Sequence, residues 1–411
     1  MGKALMVALG GASCANGDEF NLFGYGSDSS LEVNSQASAT EGATFSKLAV
    51  NIISGGSGTN NYQFRDAGAN GNQLATRSGA GIAEDTINTD VLSAGDLFNL
   101  AYTDTGTNSS PSWLLANVEF SSGHGNFHGA ASFAGTIYDT PSATRFIALS
   151  GLNTADGIGT EDNVEWKVRG YDSFEAFQVR VIANARTNTS DFRNRINGGN
   201  GTGLVQFTTG ATGLLSDTGL GDAITDGQTI NLSITLDTGI EDLNVSFVCA
   251  TLKSTDNKSE AFAGRDAGIV RTASATANYS IIGGVITTNL TEAQARLKPG
   301  FAAVVSNLRC YLSANTYTGN GTLKLYQNGS AVITTTITAS GGAAWYENTS
   351  DTITIDADDE LSFEFDEGTS GSITIHSAGI TFAPPPAPGG ETGFGPLIAG
   401  QRNRHVLYAR A

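Results

Sequence analysis

Residues 342–368, GAAWYENTSDTITIDADDELSFEFDEG, show a clear strand pattern. Every second residue is apolar in TITID and in LSFEF, which is the period of a β-strand that buries one face. The acidic and glycine residues between and after these runs are typical of tight turns. The stretch therefore predicts a pair of strands joined and followed by acidic turns.

The same order of features occurs twice more along the chain. The acidic motif is found as Glu84-Asp85-Thr86, as Ser216-Asp217-Thr218 and as Glu347-Asn348-Thr349, at spacings of 216 − 84 = 132 and 347 − 216 = 131 residues. The strand that ends in an Asp-rich turn is found as FNLAYTDTG (98–106), INLSITLDTG (230–239) and LSFEFDEG (361–368). Ordered matches at one period indicate tandem duplication.

Each copy contains seven or eight strand-like runs and no long helical periodicity. Such a unit, without a disulfide framework, predicts an all-β chain of three tandem jelly-roll β-sandwiches, with other Greek-key sandwiches left open. The predicted domains are 1–122, 131–254 and 261–383, followed by a Pro-rich spacer and basic tail at 384–411. Residues 121–132 and 253–260 are predicted linkers, and TEAQARLK (291–298) is a predicted extended lead-in strand.

The apolar opening MVALGGAS is an ambiguous segment. It could be an export signal with Cys14 as an acylated residue, but its apolar core is short. It also aligns with FIALSGLN (146–153) and YSIIGGVI (279–286), which favours the first strand of the first sandwich. We then expect an unexported protein whose three cysteines, Cys14, Cys249 and Cys310, stay thiols, the last two as small buried residues.

Composition narrows the function classes. Charged residues are 15% of the chain and the net charge is −18. Phosphate binding needs clustered Lys and Arg, so nucleic acid is a poor partner for the body of the protein. No apolar run reaches the roughly 18 residues that a membrane-spanning helix needs.

Two Asp-Thr-Gly triplets, at 104–106 and 237–239, resemble the paired motifs of pepsin-like aspartic proteases. In those enzymes two carboxylates share a proton and activate water. Here Thr103 precedes the first triplet and Ile240 follows the second, and both triplets fall in the same repeat turn. A turn is the favoured interpretation, and aspartic protease activity remains a remote alternative.

Other chemical motifs are weak. His124 and His128 have a metal-like spacing but fall in a predicted flexible linker without further ligands. The acidic loops 216–227 and 356–361 could bind Ca²⁺, although solvated turns are favoured because the calcium-loop spacing is missing. The sequence therefore predicts no enzyme, no cofactor and no metal site.

The order of features within each copy resembles a jelly-roll module of tailed-phage virion proteins, and loosely the trimeric tumour-necrosis-factor/C1q-type sandwiches. The matching segments are 79–86 with 94–106, 210–218 with 227–239, and Leu308, Asn328-Gly329, 347–349, 358–361 and 373–382. The resemblance implies a non-enzymatic structural protein of a bacteriophage virion, with a capsid decoration or minor head protein as the favoured role. Its implied partners are the major capsid protein or other virion subunits.

The basic tail is the predicted anchor to the particle. Arg402, Arg404, His405 and Arg410 follow the proline spacer on an otherwise acidic chain. The three sandwiches could form an intrachain pseudo-threefold unit, or three chains could form a homotrimer, and the sequence leaves both open. A tail fibre or adhesin that recognises a host surface glycan is the alternative function.

Overall fold

The computed structural model describes most of the chain. The described residues are 3–10, 16–20, 22, 24–26, 32, 35–52, 58–105, 113–119, 126–139, 143–153, 158–237, 239, 241–273, 278–286, 290–366 and 368–386.

These residues form three β-sandwiches in chain order. The strands of the first sandwich are β1 (Lys3–Gly10), β2 (Glu19–Phe20), β3 (Gly24–Gly26), β4 (Ala37–Ser38), β5 (Ala43–Ile52), β6 (Thr59–Asp66), β7 (Ala69–Ser78), β8 (Gly81–Leu92), β9 (Leu97–Asp104) and β10 (Trp113–Glu119). The strands of the second are β11 (Asn126–Tyr138), β12 (Thr144–Ile147), β13 (Gly151–Leu152), β14 (Trp166–Lys167), β15 (Ser173–Asn184), β16 (Ser190–Ile196), β17 (Gly199–Phe207), β18 (Gly213–Ala223), β19 (Thr229–Thr235) and β20 (Leu243–Lys253). The elements of the third are β21 (Ser259–Thr272), β22 (Asn278–Ser280), β23 (Gly284–Val285), the helical turn α1 (Glu292–Ala295), β24 (Ala303–Asn315), β25 (Gly321–Gln327), β26 (Ser330–Ile337), β27 (Ala344–Ile355), β28 (Leu361–Asp366) and β29 (Ser372–Ala383).

The three sandwiches share one topology. An inner sheet contains the first and last strands and has the order β3-β1-β10-β5-β8, β13-β11-β20-β15-β18 or β23-β21-β29-β24-β27. An outer sheet has the order β2-β9-β6-β7, β12-β19-β16-β17 or β22-β28-β25-β26. Strands that alternate between two four-to-five-stranded sheets in this order form a jelly roll, which confirms the predicted all-β sandwich fold.

The hydrophobic core of each sandwich contains side chains from another sandwich. The first core includes Phe127 and Phe247 of the second sandwich, and the second core includes Phe262 of the third. The third core includes Ala49 of the first sandwich. Each sandwich therefore completes its core with side chains of another, in a cycle that returns to the first.

Short parallel strands meet where the three sandwiches converge. β3, β13 and β23 contact one another pairwise, and Leu152 of β13 pairs with Arg265 of β21, which joins two inner sheets into one of ten strands. Gly151 sits in this contact with a φ of 90°. A Cβ atom there would overlap the carbonyl oxygen of Gly264, so the close approach requires glycine.

The predicted alignment of MVALGGAS with FIALSGLN (146–153) and YSIIGGVI (279–286) was wrong by one strand. β1 pairs with the last strand β10, as β11 pairs with β20 and β21 with β29. FIALSGLN (146–153) instead covers β12 and β13. Both segments are short apolar runs that end in small residues, so composition alone did not separate neighbouring strands that meet at the same place.

Two predicted connections also differ in the structure. β11 begins at Asn126 and β21 at Ser259, inside the predicted linkers 121–132 and 253–260. In the predicted lead-in strand 291–298, Glu292–Ala295 forms a helical turn with a capping box between Thr291 and Gln294, and Leu297 makes a single bridge to Leu361. The T-x-x-Q spacing of the capping box is the sequence signal that favoured the turn.

Among the described residues, no helix is long and apolar enough to cross a membrane.

Candidate functional site

The predicted anchoring residues Arg402, Arg404, His405 and Arg410 lie outside the described residues, which end at Pro386. The chain leaves the third sandwich after β29. Pro384 and Pro385 line a small apolar cavity of about 80 Å³ together with Phe301, Phe382 and Lys3. The start of the first sandwich and the end of the third therefore lie side by side where the tail begins.

The Asp-Thr-Gly triplets occupy equivalent strand ends in different sandwiches. Asp104 ends β9 and Asp237 follows β19. The Gly239 N–H donates to Asp237 Oδ1 at 3.0 Å, and Arg186 Nε lies 3.5 Å from the same oxygen. The Asp237 carboxylate thus stabilises its own turn, in the way that the repeat alignment predicted.

His128 is not in a flexible linker, and that prediction was wrong. It lies in β11 and is 7% exposed, with its Nε2 atom 2.6 Å from the Tyr171 hydroxyl and its ring 4.5 Å from that of Trp166. Burial lowers the pKa of His128 to about 3, so the ring is neutral at neutral pH. The glycine-rich surroundings suggested a linker, whereas the segment from Asn126 onward forms β11. His124 lies outside the described residues.

The junction between the second and third sandwiches holds a fully buried ion pair. Glu260 of β21 and Arg309 of β24 are both 0% exposed, with Oε2 and Nη2 2.7 Å apart. The Trp166 indole N–H donates to Glu260 Oε2 at 2.8 Å, and the backbone N–H of Arg169 donates to Oε1 at 2.6 Å. Because Trp166 and Arg169 belong to the second sandwich, this carboxylate holds one sandwich against the next.

The electrostatics of this pair follow from its burial. Burial raises the pKa of the Glu260 carboxyl, and the Arg309 guanidinium and the amide and indole donors offset part of that rise. Burial likewise lowers the pKa of Arg309, which Glu260 opposes. A buried charge is tolerated only with its partner, so either residue alone would be strongly destabilising.

At all three junctions the hydrogen-bond acceptor is a backbone carbonyl of a short element, namely β4, β14 or the end of the turn α1. In each case a side chain from the long strand β5, β15 or β24 donates: Gln178 Nε2 to Ser38 O at 2.7 Å, Arg309 Nε to Lys167 O at 2.8 Å, and Asn51 Nδ2 to Arg296 O at 3.3 Å. These hydrogen bonds join the first sandwich to the second, the second to the third and the third to the first. The sandwiches therefore form a closed ring of contacts within one chain.

Ion pairs distinguish the junctions from one another. Lys167 binds Glu347 between the second and third sandwiches, and Lys298 lies 3.2 Å from Glu84 between the third and first. The equivalent residues between the first and second sandwiches are Ser38 and Ser216, which are uncharged. The three junctions are thus similar in geometry and different in charge.

A polar cleft of about 440 Å³ opens at the junction between the second and third sandwiches. Among its lining groups, Arg169 is paired with Asp226 at 2.9 Å and also binds Glu347. Asp172 accepts hydrogen bonds from both the N–H and the hydroxyl of Thr255 at 2.6 Å. Arg169 and Asp172 therefore already have partners within the protein.

The carboxylates of the acidic loops form hydrogen bonds with neighbouring backbone and side-chain groups and do not form a cluster of metal ligands. Asp222 Oδ2 accepts from the Thr202 N–H and from Asn194 Nδ2, both at 2.8 Å, and Asp359 Oδ2 accepts from the Asp356 N–H at 2.7 Å. In the part of the chain that the structure describes, no group of three His, Cys, Asp or Glu residues could hold a metal ion.

The two described cysteines are buried, as predicted. Cys249 and Cys310 are both free and at most 1% exposed. Burial raises the pKa of both thiols, so they are protonated and unreactive. Cys14 lies outside the described residues.

Comparison with known proteins identifies no family for this chain. No family model and no curated protein matches the sequence. An insecticidal delta-endotoxin from Bacillus thuringiensis aligns at 10% identity and a TM-score of 0.21, over 53% of this chain and 54% of that chain. A xanthan lyase from Paenibacillus aligns at 13% identity and a TM-score of 0.19, over 85% of this chain and 33% of that chain. At such TM-scores these similarities carry no argument about function.

Proposed function

We propose that the protein is a non-enzymatic structural component of a bacteriophage virion, mounted on the capsid as a decoration or minor head protein. The observation that carries the proposal is the cyclic sharing of core residues among three jelly rolls in one chain. Residues such as Phe127 and Phe262 leave their own sandwich to fill the core of another. A body built in this way is a stiff unit rather than three independent modules.

The surface chemistry also supports a structural role. In the polar cleft, Arg169 and Asp172 are engaged by neighbouring side chains and backbone groups, which leaves little for a substrate to displace. Catalytic groups, by contrast, need a reachable proton or nucleophile. The net charge of −18 favours a soluble body that attaches through a separate basic segment.

The test is association of the purified protein with capsids of the encoding phage that lack it. The full chain should co-sediment with these particles, and a chain ending at Pro386 should not, because it lacks Arg402, Arg404 and Arg410. Single changes Arg404→Ala and Arg193→Ala form a matched pair, since each removes one arginine, from the tail or from β16 of the body.

Loss of binding in Arg404→Ala but not in Arg193→Ala supports attachment through the tail. Equal binding of the truncated and full chains would refute the tail as anchor. Failure of the full chain to co-sediment would refute the virion proposal itself.

A further inference from the structure

Two tyrosines form a pair on the outer sheet of the third sandwich. Tyr279 of β22 and Tyr326 of β25 both flank strand β28, opposite Glu364 and Ser362 respectively. Their ring centroids are 5.6 Å apart at an interplanar angle of 80°, and both side chains are partly exposed. Aromatic surface thus lies on the solvent side of this sheet.

Polar groups converge beneath and beside the two rings. Lys324 Nζ lies 2.9 Å from Glu364 Oε1 and 3.0 Å from Asp366 Oδ2. Glu364 alternates with the core residues Phe363 and Phe365, so its side chain points outward. It is nevertheless only 3% exposed, because the tyrosines and Lys324 cover it.

The phenol groups interact with this carboxylate. Burial and hydrogen bonding with Glu364 raise the pKa of both Tyr279 and Tyr326. The hydroxyls are therefore neutral and can donate or accept hydrogen bonds at the edge of the patch.

The same positions in the other two sandwiches have different chemistry. The strand registers place Glu19 and Phe146 at the position of Tyr279, Arg65 and Arg195 at that of Tyr326, and Ala101 and Ser233 at that of Glu364. In the first sandwich Glu19 and Arg65 are 3.8 Å apart, and in the second Arg195 lies 5.2 Å over the Phe146 ring. In both sandwiches the position of Tyr326 is therefore occupied by an arginine that already interacts with a neighbouring side chain.

Three differences fall together in the third sandwich. An arginine is replaced by Tyr326, a second phenol is present as Tyr279, and a carboxylate is present as Glu364. A jelly roll of this topology does not need these groups, because the first two sandwiches form the same sheet without them. The combination therefore calls for a role other than folding.

We propose that the patch formed by Tyr279, Tyr326, Glu364, Lys324 and Asp366 is a binding site for a neutral or amino-bearing saccharide. A pyranose ring has an apolar face of C–H groups and a rim of hydroxyls. Tyrosine offers a rigid amphipathic surface to such a face at a low entropic cost. The exposed Asp366 carboxylate and the phenol hydroxyls then accept from and donate to the hydroxyls at the rim, while the covered Glu364 holds the tyrosines and Lys324 in place.

Charge selects among saccharides. Glu364 and Asp366 outnumber Lys324, which is already paired with both. Glu292 lies close enough to raise the pKa of Tyr279 further. A uronic or sialic acid would bring another carboxylate into this acidic surface, so an uncharged or amino sugar is the ligand that fits.

The test is binding of the labelled full-length chain to an array of neutral, amino-bearing and acidic bacterial surface oligosaccharides. Neutral or amino-bearing glycans should bind, and titration calorimetry with one of them should show a loss of at least about tenfold in affinity for Tyr326→Ala. Tyr326→Arg restores the residue of the other two sandwiches, so it should fold normally and lose binding as well. Phe146→Ala, at the equivalent position of Tyr279 in the second sandwich, should bind like the unchanged protein.

Three results would overturn the proposal: binding of no glycan, binding of acidic glycans alone, or full binding by Tyr326→Arg. Melting temperatures of the variants show whether any loss comes from unfolding. The experiment needs neither particles nor the tail, so its outcome is independent of the test of capsid attachment.

Discussion

The recurring acidic motif is explained by single side chains that tie the two sheets of each sandwich together. Asp85 of β8 accepts a hydrogen bond from the Leu74 N–H of β7 at 2.8 Å, and Asp217 of β18 accepts from the Leu204 N–H of β17 at 2.8 Å. β7 and β8 are edge strands of different sheets, and so are β17 and β18. Each carboxylate therefore satisfies an edge N–H that would otherwise be open to another chain.

In the third sandwich the corresponding side chain links the two equivalent edge strands, but it donates the hydrogen bond instead of accepting it. Asn348 of β27 donates through Nδ2 to the Thr334 carbonyl of β26 at 2.8 Å. Its Oδ1 atom accepts from the N–H groups of Ser350 and Asp351 at 3.1 and 3.0 Å. The sequence revealed these residues as markers of the repeat, but their role depends on two strand edges that only the folded chain brings together.

We predict that Asp85→Ala lowers the free energy of unfolding by about 1–3 kcal/mol, since it removes a buried carboxylate that accepts hydrogen bonds from the N–H groups of Leu74, Ile87 and Asn88. Asp85→Asn should cost less, because Asn348 serves at the equivalent position. Urea denaturation monitored by fluorescence measures both. Equal stability of Asp85→Ala and the unchanged chain would contradict this role.

The same carboxylate should make stability depend on pH in acid. Burial alone would raise the pKa of Asp85, but hydrogen bonds from Asn88, Leu74 and Ile87 outweigh it and hold the pKa below its ordinary value. The stabilisation is present above the unfolded pKa of about 4 and is lost as the pH falls through the lower folded value. Below pH 4 the melting temperature should therefore fall less steeply with pH for Asp85→Asn than for the unchanged chain. An identical pH dependence would contradict this role of the Asp85 carboxylate.

His128 should contribute a pH dependence in a higher window. Its pKa is about 3 in the folded chain, against about 6.5 when unfolded, so the unfolded chain takes up a proton between these values. Stability is then fully present above pH 6.5 and declines toward pH 3, by at most about 1.4 kcal/mol per pH unit. His128→Phe should reduce this slope in calorimetry between pH 4 and 6.5, whatever its effect on stability at neutral pH. An unchanged slope would show that His128 does not titrate on unfolding.

The strands were far easier to predict from the sequence than the strands with which they pair. Alternation in LSFEF and the Asn-Gly turn at 328–329 gave β28 and the β25–β26 hairpin directly, because these patterns depend on local geometry. The alignment of β1 failed, because small apolar segments such as ALSG and IIGG are similar in composition whichever strand they form. Their glycines reflect a close approach of strands that are distant in sequence.

The parallel contact of β13 with β21 provides a prediction about such a glycine. A Cβ atom at Gly151, where φ is 90°, would overlap the Gly264 carbonyl oxygen. Gly151→Ala should therefore separate the second and third sandwiches locally and increase hydrogen exchange at both strands. Gly95→Ala is the matched control, because Gly95 has a φ of 95° but a Cβ atom there would meet nothing within 4 Å. Equal effects of the two changes would mean that backbone strain, and not the contact, is responsible.

The arrangement of the whole molecule was the least accessible to sequence. Contacts such as Gln178 with Ser38 and Arg309 with Lys167 join residues 140 and 142 positions apart. The donors differ between junctions, so no shared motif marks them. The tyrosine patch was missed for a related reason. In the sequence, Trp113, Trp166 and Trp345 fall in strand-like runs, which speaks against a glycan site, whereas the distinctive feature is a departure of one repeat from the other two.

Cyclic sharing of cores should make the three sandwiches unfold together. Phe262 of the third sandwich packs 4.8 Å from Trp166 in the second core, and Phe127 of the second packs 6.1 Å from Phe98 in the first. Loss of any one sandwich would therefore expose the core of another, which couples their stabilities.

We predict a single calorimetric transition for the full chain. Phe262→Ala should lower its midpoint without splitting it, at a cost of about 3–5 kcal/mol, because the cavity opens where two sandwiches meet. Ile333→Ala is the control, since Ile333 packs within the third core; it too should shift one shared transition if the coupling holds. Separate transitions in the unchanged chain, or a Phe262→Ala effect confined to amides of the third sandwich in hydrogen exchange, would show that the sandwiches fold as independent units despite their shared cores.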